Sequence, residues 1–281
     1  MLLQDKLQQL GGAGKALLAT NFYNFETLSG VLQAAKATNH QIILQLSESS
    51  IQYLGLGVAT AMARAALKSY EVEGWLHLDH GGSVEIAHRC LDAGFDSVMI
   101  DASEKSLDEN IRITSQVVKI AAGYNANVEA ELGYIAKLGQ EQLVSQYTQP
   151  GEAKNFVEAT GINALAIAVG TAHGFYKETP QLQMELIAQI HAATDAALVL
   201  HGGSGIPSNQ LRSAIACGIS KINLATETKN IFMKTLQQLL SQTDEIDLRK
   251  VFPVATDAVI QLISEKLEVV SPDENNIYAK K

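Results

Sequence analysis

Eight short apolar runs, each four to six residues long and separated by stretches long enough for a helix, constrain this chain more than any other feature. They fall at residues 16–20, 41–45, 75–79, 97–101, 127–131, 164–169, 197–201 and 221–224. Strands of a parallel sheet are covered on both faces, so they read as near-continuous apolar runs rather than as alternating ones. The intervening stretches carry helical spacing. Leu28, Val31, Leu32 and Ala35 mark one face of a helix over 26–38, and Ser106-Leu-Asp-Glu109 is a capping box opening a helix through Ala122. Pro207-Ser208 before Leu211 and Ile215, with a stop at Gly218, reads likewise. Strand and helix alternating eight times predict an α/β fold: a single-domain (β/α)8 TIM barrel over residues 1–281. An open doubly wound sheet is the alternative. Two segments fall outside the alternation. Residues 133–151 follow the fifth strand and read as a mobile lid or a plain surface loop, and residues 271–281 read as a C-terminal tail.

Composition narrows the partners. A chain of 281 residues that is 47% hydrophobic can bury a large core. Its net charge of −9 argues against a nucleic-acid surface, which needs dense Lys and Arg. The apolar runs are too short to span a bilayer, so no membrane partner is expected. Residues 1–10 intersperse Gln4, Asp5, Lys6, Gln8 and Gln9 among leucines, unlike a secretory leader, which points to a cytoplasmic protein. Cys90 and Cys217, each in a helical pattern, read as reduced packing residues. The expected partner is a small molecule, and any anion on it must be held locally.

The strand ends carry that local chemistry. Asp79 and His80 follow the third run, Asp101 and Ser103 the fourth, Glu129 and Glu131 close the fifth, and His173 and His201 follow the sixth and seventh. Strand alternation puts His77 and Asp79 on one face, with His80 where the chain leaves the strand. Each histidine alone reads as readily as a hydrogen-bonding core residue. Three arriving at the carboxyl ends of different strands make a metal site with open positions, and neutral imidazoles suit Zn2+, with Co2+, Fe2+ or Mn2+ as alternatives. Asp101 and Glu131 form a second, harder cation position or support the first. Gly170-Thr-Ala-His-Gly174 and His201-Gly-Gly-Ser-Gly205 offer close backbone approach, and Ser204 and Thr226 add hydroxyls where this barrel usually holds phosphate. Lys221 and Asn223 share a face of the eighth strand. A barrel lysine suggests Schiff-base chemistry; beside the histidines, Lys221 reads as structural or electrostatic and Asn223 as a donor to a substrate oxygen.

Seven blocks in order, Asn24-Phe-Glu-Thr27, His77-Leu-Asp-His-Gly81, Ser97-Val-Met-Ile-Asp101, Val128-Glu-Ala-Glu-Leu-Gly133, Gly170-Thr-Ala-His-Gly174, His201-Gly-Gly-Ser-Gly205 and Lys221-Ile-Asn-Leu-Ala-Thr226, resemble the class II, metal-dependent ketose-bisphosphate aldolases, especially their tagatose-bisphosphate aldolase-like branch. The resemblance implies that His80, His173 and His201 bind a catalytic Zn2+, that Asp79 is the proton donor, and that Asp101 and Glu131 match a second divalent cation site of some members. It also implies that Gly174, Gly202, Gly203, Ser204 and the run Asn223, Leu224, Ala225 and Thr226 hold dihydroxyacetone phosphate, with a monovalent cation (Na+ or K+) near its phosphate. Ser47 is retained on the substrate side, within Gln45-Leu-Ser-Glu-Ser-Ser50. Barrels of this kind associate, so a homodimer or homotetramer is expected. Tyr134 to Gly139 replace the family's usual second glycine pair, Glu48-Ser49 stand where glycine is common, and Thr20 where an aromatic is common. The implied reaction is aldol cleavage of fructose or tagatose 1,6-bisphosphate; a different aldehyde partner, or a sugar-phosphate-binding subunit without turnover, are the alternatives.

Overall fold

The computed structural model describes residues 1–133, 135, 147–176 and 178–272. Most of the 133–151 segment, and the 271–281 tail beyond residue 272, lie outside the described residues. Eight parallel strands, β1 (Leu17–Asn21), β2 (Ile42–Ser47), β3 (Gly74–Gly81), β4 (Ser97–Ile100), β5 (Asn127–Leu132), β6 (Ala164–Ile167), β7 (Ala197–Leu200) and β8 (Ile219–Leu224), pair in chain order. Pairing of β8 with β1 closes the barrel. All eight apolar runs are therefore strands, and the open sheet is excluded.

The helices are α1 (Leu3–Gly12), α2 (Phe25–Ala37), α3 (Glu48–Leu54), α4 (Leu56–Tyr70), α5 (Val84–Asp92), α6 (Leu107–Ala122), α7 (Pro150–Thr160), α8 (Met184–Ala193), α9 (Ser208–Ala216), α10 (Thr226–Leu240) and α11 (Leu248–Val270). Their starts follow local chemistry. Asn24 and Thr27 form a reciprocal capping box on α2. At α6 only half of the expected box forms: Ser106 Oγ accepts from Glu109 N, but the Glu109 carboxylate takes Arg112 Nε and Nη2 at 2.8 and 2.7 Å. A two-pronged charged contact displaces the weaker bond back to the cap. Among the described residues no helix is long and apolar enough to cross a membrane. Cys90 and Cys217 are free thiols.

Two apolar layers result. The larger lies between the outward faces of the strands and the helices. The smaller fills the lower barrel, where Leu17, Ala19, Ile43, Trp75, Met99, Ala164, Ala166, Ala197 and Val199 meet Leu3 and Leu7 of α1. That helix plugs the amino-terminal mouth, and burying each of Leu3 and Leu7 contributes about 2 kcal/mol. Above this layer the inward positions turn polar: Trp75 is followed by His77 and Asp79, and Ala19 by Asn21. The polar end is the carboxyl end of the strands, where the loops gather.

Candidate functional site

Strand β3 supplies two chemistries because its pairing with β4 slips between Leu78 and Gly81. His80 sits in that bulge with φ +52°, a conformation uncommon for a non-glycine residue, and its ring turns toward the neighbouring histidines. Asp79, one residue earlier, stays inside the barrel at 8% exposure. Asn21 Nδ2 donates to its Oδ2 at 2.9 Å and Asn223 Nδ2 to its Oδ1 at 3.4 Å. Burial pushes this carboxyl up. The positive field of His80 and the Asn21 bond are foremost among the effects that outweigh burial and hold it below the ordinary carboxylate value.

Three imidazoles converge beside it. The ring centroid of His80 lies 4.9 Å from that of His173 and 4.7 Å from that of His201, and the last two are 5.7 Å apart, all nearly perpendicular. Two are anchored through the nitrogen that faces away. His80 Nδ1 lies 2.7 Å from Asp101 Oδ2, and Asp101 Oδ1 in turn accepts from Ser103 N and Oγ. His201 Nε2 lies 2.9 Å from Glu129 Oε1, leaving Nδ1 pointing into the cluster, 3.0 Å from His80 Nε2. One donor atom each from His80, His173, His201 and Glu131 lie within 4.8 Å of one another. Asp101 stands outside that set, behind His80.

This donor set fits a metal ion. Three nitrogens and a carboxylate oxygen suit Zn2+ and its neighbours in the first transition row. Glu131 Oε2 is buried and has no hydrogen-bond partner among the described residues, as a ligand oxygen would be. Burial, then the fields of His80 and His173, keep His201 well below the ordinary imidazole value and hence neutral. Without a cation the cluster holds protons instead. The Asp101 bond and the carboxylates around it overcome burial and raise His80 to about 9, while burial and the Asp101 charge raise Glu131 to about 8.

Those two shifts set the pH dependence of the metal-free protein. Both groups bind protons more tightly folded than unfolded, where they titrate near 6.5 and 4.5. The folded state therefore carries the excess protons above neutrality, and stability falls as pH rises toward 9. His77 and His201 shift the opposite way, but that contribution is complete by about pH 7, where the unfolded imidazoles have already lost their protons. The melting temperature of chelator-stripped protein is expected to fall from pH 7 to pH 9, with the rise on adding zinc growing over the same interval. A flat or rising apo curve would refute the assignment.

The phosphate-side residues divide. Gly174, Gly202, Ser204, Asn223, Ala225 and Thr226 line one cavity with Asp79, His80, His173 and His201. Thr226 opens α10, whose amino-terminal end suits an anion, and the Glu227 N–H in its first turn donates to Ser204 Oγ at 3.2 Å. Gly202 has φ +68°, and a Cβ there would sit 2.4 Å from Ala172 O, so only glycine lets the two loops meet. Tyr176 clasps them, its hydroxyl accepting from Ala172 N at 2.8 Å and sharing its one proton between Ala172 O and Gly202 O, each at 2.9 Å.

Three expected residues do not join this lining. Gly203 N donates to Asn223 O at 3.0 Å, so its N–H is a strand-end brace rather than an anion donor. Leu224 points outward into the strand–helix core at 1% exposure, as alternation from Asn223 requires. Ser47 caps α3 by accepting from Ser50 N. Sequence reading missed Asn21, Gln45 and Tyr176. Gln45 Nε2 donates to Asn21 Oδ1 at 3.2 Å and so supports the Asn21 contact to Asp79. The available signal was alternation, since Asn21 and Gln45 stand two residues beyond inward-facing Ala19 and Ile43.

Lys221 is fully buried below the site, with Nζ 2.6 Å from Glu129 Oε2 and 3.2 Å from His77 Nε2. An amine enclosed by a carboxylate and a ring does not reach a substrate carbonyl, which removes the Schiff-base alternative.

The family model for fructose-bisphosphate aldolase class-II matches residues 3–275. The chain is 40% identical over 256 residues to a fructose-bisphosphate aldolase of Geobacillus stearothermophilus, covering 88% of each. Its structure is similar to that of the YdjI aldolase of Escherichia coli K12, with a TM-score of 0.87 and 30% identity over 97% of this chain and 98% of that one. A fructose-bisphosphate aldolase of Campylobacter jejuni shares the fold at 22% identity, with a TM-score of 0.81 over 95% of this chain and 93% of that one.

Proposed function

Because this chain belongs to the class-II fructose-bisphosphate aldolase family, we propose that it cleaves a ketose 1,6-bisphosphate, fructose or tagatose, to dihydroxyacetone phosphate and glyceraldehyde 3-phosphate, and runs the reverse condensation. The observation that carries this reading is the meeting of His80, His173, His201 and Glu131 beside a buried, hydrogen-bonded Asp79. In this reading those three histidines hold a zinc ion, with Glu131 as a further ligand or the start of a second cation position. Bound zinc would act as a Lewis acid, polarising the C2 carbonyl and stabilising the negative charge that develops when the C3–C4 bond breaks.

The remaining chemistry belongs to the chain. Asp79, held ionised by its neighbours, takes the proton of the C4 hydroxyl during cleavage and returns it to the aldehyde oxygen in condensation. The electron pair of the C3–C4 bond stays with C3 and delocalises toward the C2 oxygen. Asn223 supplies an amide N–H to that oxygen from a group already oriented by Asp79. Gly174, Gly202 and Ser204, with Thr226 at the start of α10, receive the phosphate of the dihydroxyacetone half, where a monovalent cation also belongs in this reading. Exposed Tyr53 and Met233, which line one groove with Phe232, give a surface for the homodimer or homotetramer that forms part of the proposal.

Cleavage of fructose and tagatose 1,6-bisphosphate measured side by side tests it. Activity is expected to vanish with chelator, return with zinc and survive borohydride, and the ratio of the two rates names the sugar. No cleavage of either by zinc-loaded protein would overturn the substrate assignment.

A further inference from the structure

Beneath the site lies a buried polar chain that the proposed reaction does not use. Lys221, Glu129, His77 and Ser97 are each fully buried inside the barrel, on β8, β5, β3 and β4. A lysine ammonium has three donors and no acceptor, so it gives this chain a direction. Lys221 Nζ donates to Glu129 Oε2 at 2.6 Å and toward His77 Nε2 at 3.2 Å. His77 must then carry its proton on Nδ1, which it gives to Ser97 Oγ at 2.7 Å; Asn127 Nδ2 donates to the same oxygen at 2.9 Å. On the other branch the second oxygen of Glu129 can only accept, so His201, 2.9 Å away, must carry its proton on Nε2; Asn223 Nδ2, 3.2 Å from the same nitrogen, is the longer contact and has Asp79 Oδ1 as its acceptor. That leaves the Nδ1 lone pair of His201 aimed into the cluster with His80 and Glu131.

We propose that Glu129, oriented by Lys221, is a positioning residue that fixes His201 as the Nε2–H tautomer and so presents Nδ1 as its metal-binding atom. The inference rests on the reading that His201 binds a metal, but not on the identity of the sugar. The Lys221 contact makes the arrangement specific. If Glu129 is replaced by glutamine, the amide oxygen turns to Lys221 and the amide NH2 faces His201. His201 Nε2 must then accept, its proton moves to Nδ1, and the metal-facing lone pair is lost. Removing the lysine as well frees the amide oxygen for His201 and restores the Nε2–H form.

Metal affinity, read by chelator competition for Zn2+ and by the visible absorption of Co2+-loaded protein, tests this. Glu129→Gln is expected to weaken Zn2+ binding about 10- to 100-fold, the usual size for losing a partner behind a ligand histidine. The Glu129→Gln/Lys221→Met double variant is expected to regain most of that loss. A purely structural ion pair predicts the reverse order, with the double variant binding metal no better than the single one. Should Glu129→Gln fail to fold, ring 15N–1H correlation spectra of the zinc-loaded wild-type protein decide the matter: the proton of His201 must be on Nε2. A proton on Nδ1, unchanged Zn2+ affinity in Glu129→Gln, or no metal binding by the wild type would each overturn the proposal. Tight metal binding with the expected tautomer but no ketose-bisphosphate cleavage would uphold it and defeat the proposed reaction alone.

Discussion

Replacing Asp79 with asparagine is expected to lower kcat for ketose-bisphosphate cleavage by about 10²- to 10⁴-fold, the range for removing a positioned general base. The substitution keeps the shape of the side chain and an oxygen for the Asn21 amide, whose Nδ2 lies 2.9 Å from Asp79 Oδ2. It removes only the ability to take a proton from the C4 hydroxyl. Zinc content should stay near the wild-type value, because Asp79 Oδ1 is 3.9 Å from His80 Nε2 and Asp79 is not among the four residues that offer clustered donor atoms. KM should change little, since Asp79 is not among the residues proposed to receive the phosphate. Steady-state kinetics with metal analysis of the same samples checks this. A raised KM at unchanged kcat would reassign Asp79 to substrate binding, and a loss of zinc in step with activity would make it part of the metal site.

The barrel was legible because every strand is covered on both sides, which writes its position as an unbroken apolar run. The convergence of His80, His173 and His201 was legible for a related reason, since each stands at a strand's carboxyl end or in the loop that follows it, and barrel closure leaves those ends one place to meet. What escaped were contacts between inward positions. Glu129 and Lys221 are visible as residue types, but their 2.6 Å ion pair joins positions 92 residues apart. It depends on the register that aligns β5 with β6, β6 with β7 and β7 with β8. The same holds for Asn21 behind Asp79. Leu224 and Gly203 were misplaced by taking a contiguous motif as a contiguous surface, whereas alternation turns Leu224 into the core and the strand-end hydrogen bond occupies Gly203. His80 escaped prediction in geometry rather than identity, because a bulge with positive φ has no signature in Leu-Asp-His-Gly beyond the glycine that follows.

The buried ion pair carries the largest expected stability effect. Lys221→Met is expected to destabilise the protein by about 3–5 kcal/mol, the usual cost of leaving one partner of a buried pair uncompensated. For a chain of this size that lowers the melting temperature by on the order of 10 °C. Among the described residues nothing else fully buried near Glu129 Oε2 carries a fixed positive charge: His77 Nε2 is 3.8 Å from it, and burial keeps that imidazole well below its ordinary value and neutral. Glu129 has no contact with bulk water, at 0% exposure. Methionine matches the lysine stem in length, so the loss measures charge rather than volume. Adding Glu129→Gln to Lys221→Met should recover most of the stability, since a neutral pair in the same space removes the stranded charge. Thermal melts of metal-stripped protein at one pH, comparing the two single variants with the double, decide it. Additive losses would mean that Lys221 and Glu129 stabilise the barrel independently, and a double variant more stable than Lys221→Met alone would show that the lysine is there for the glutamate.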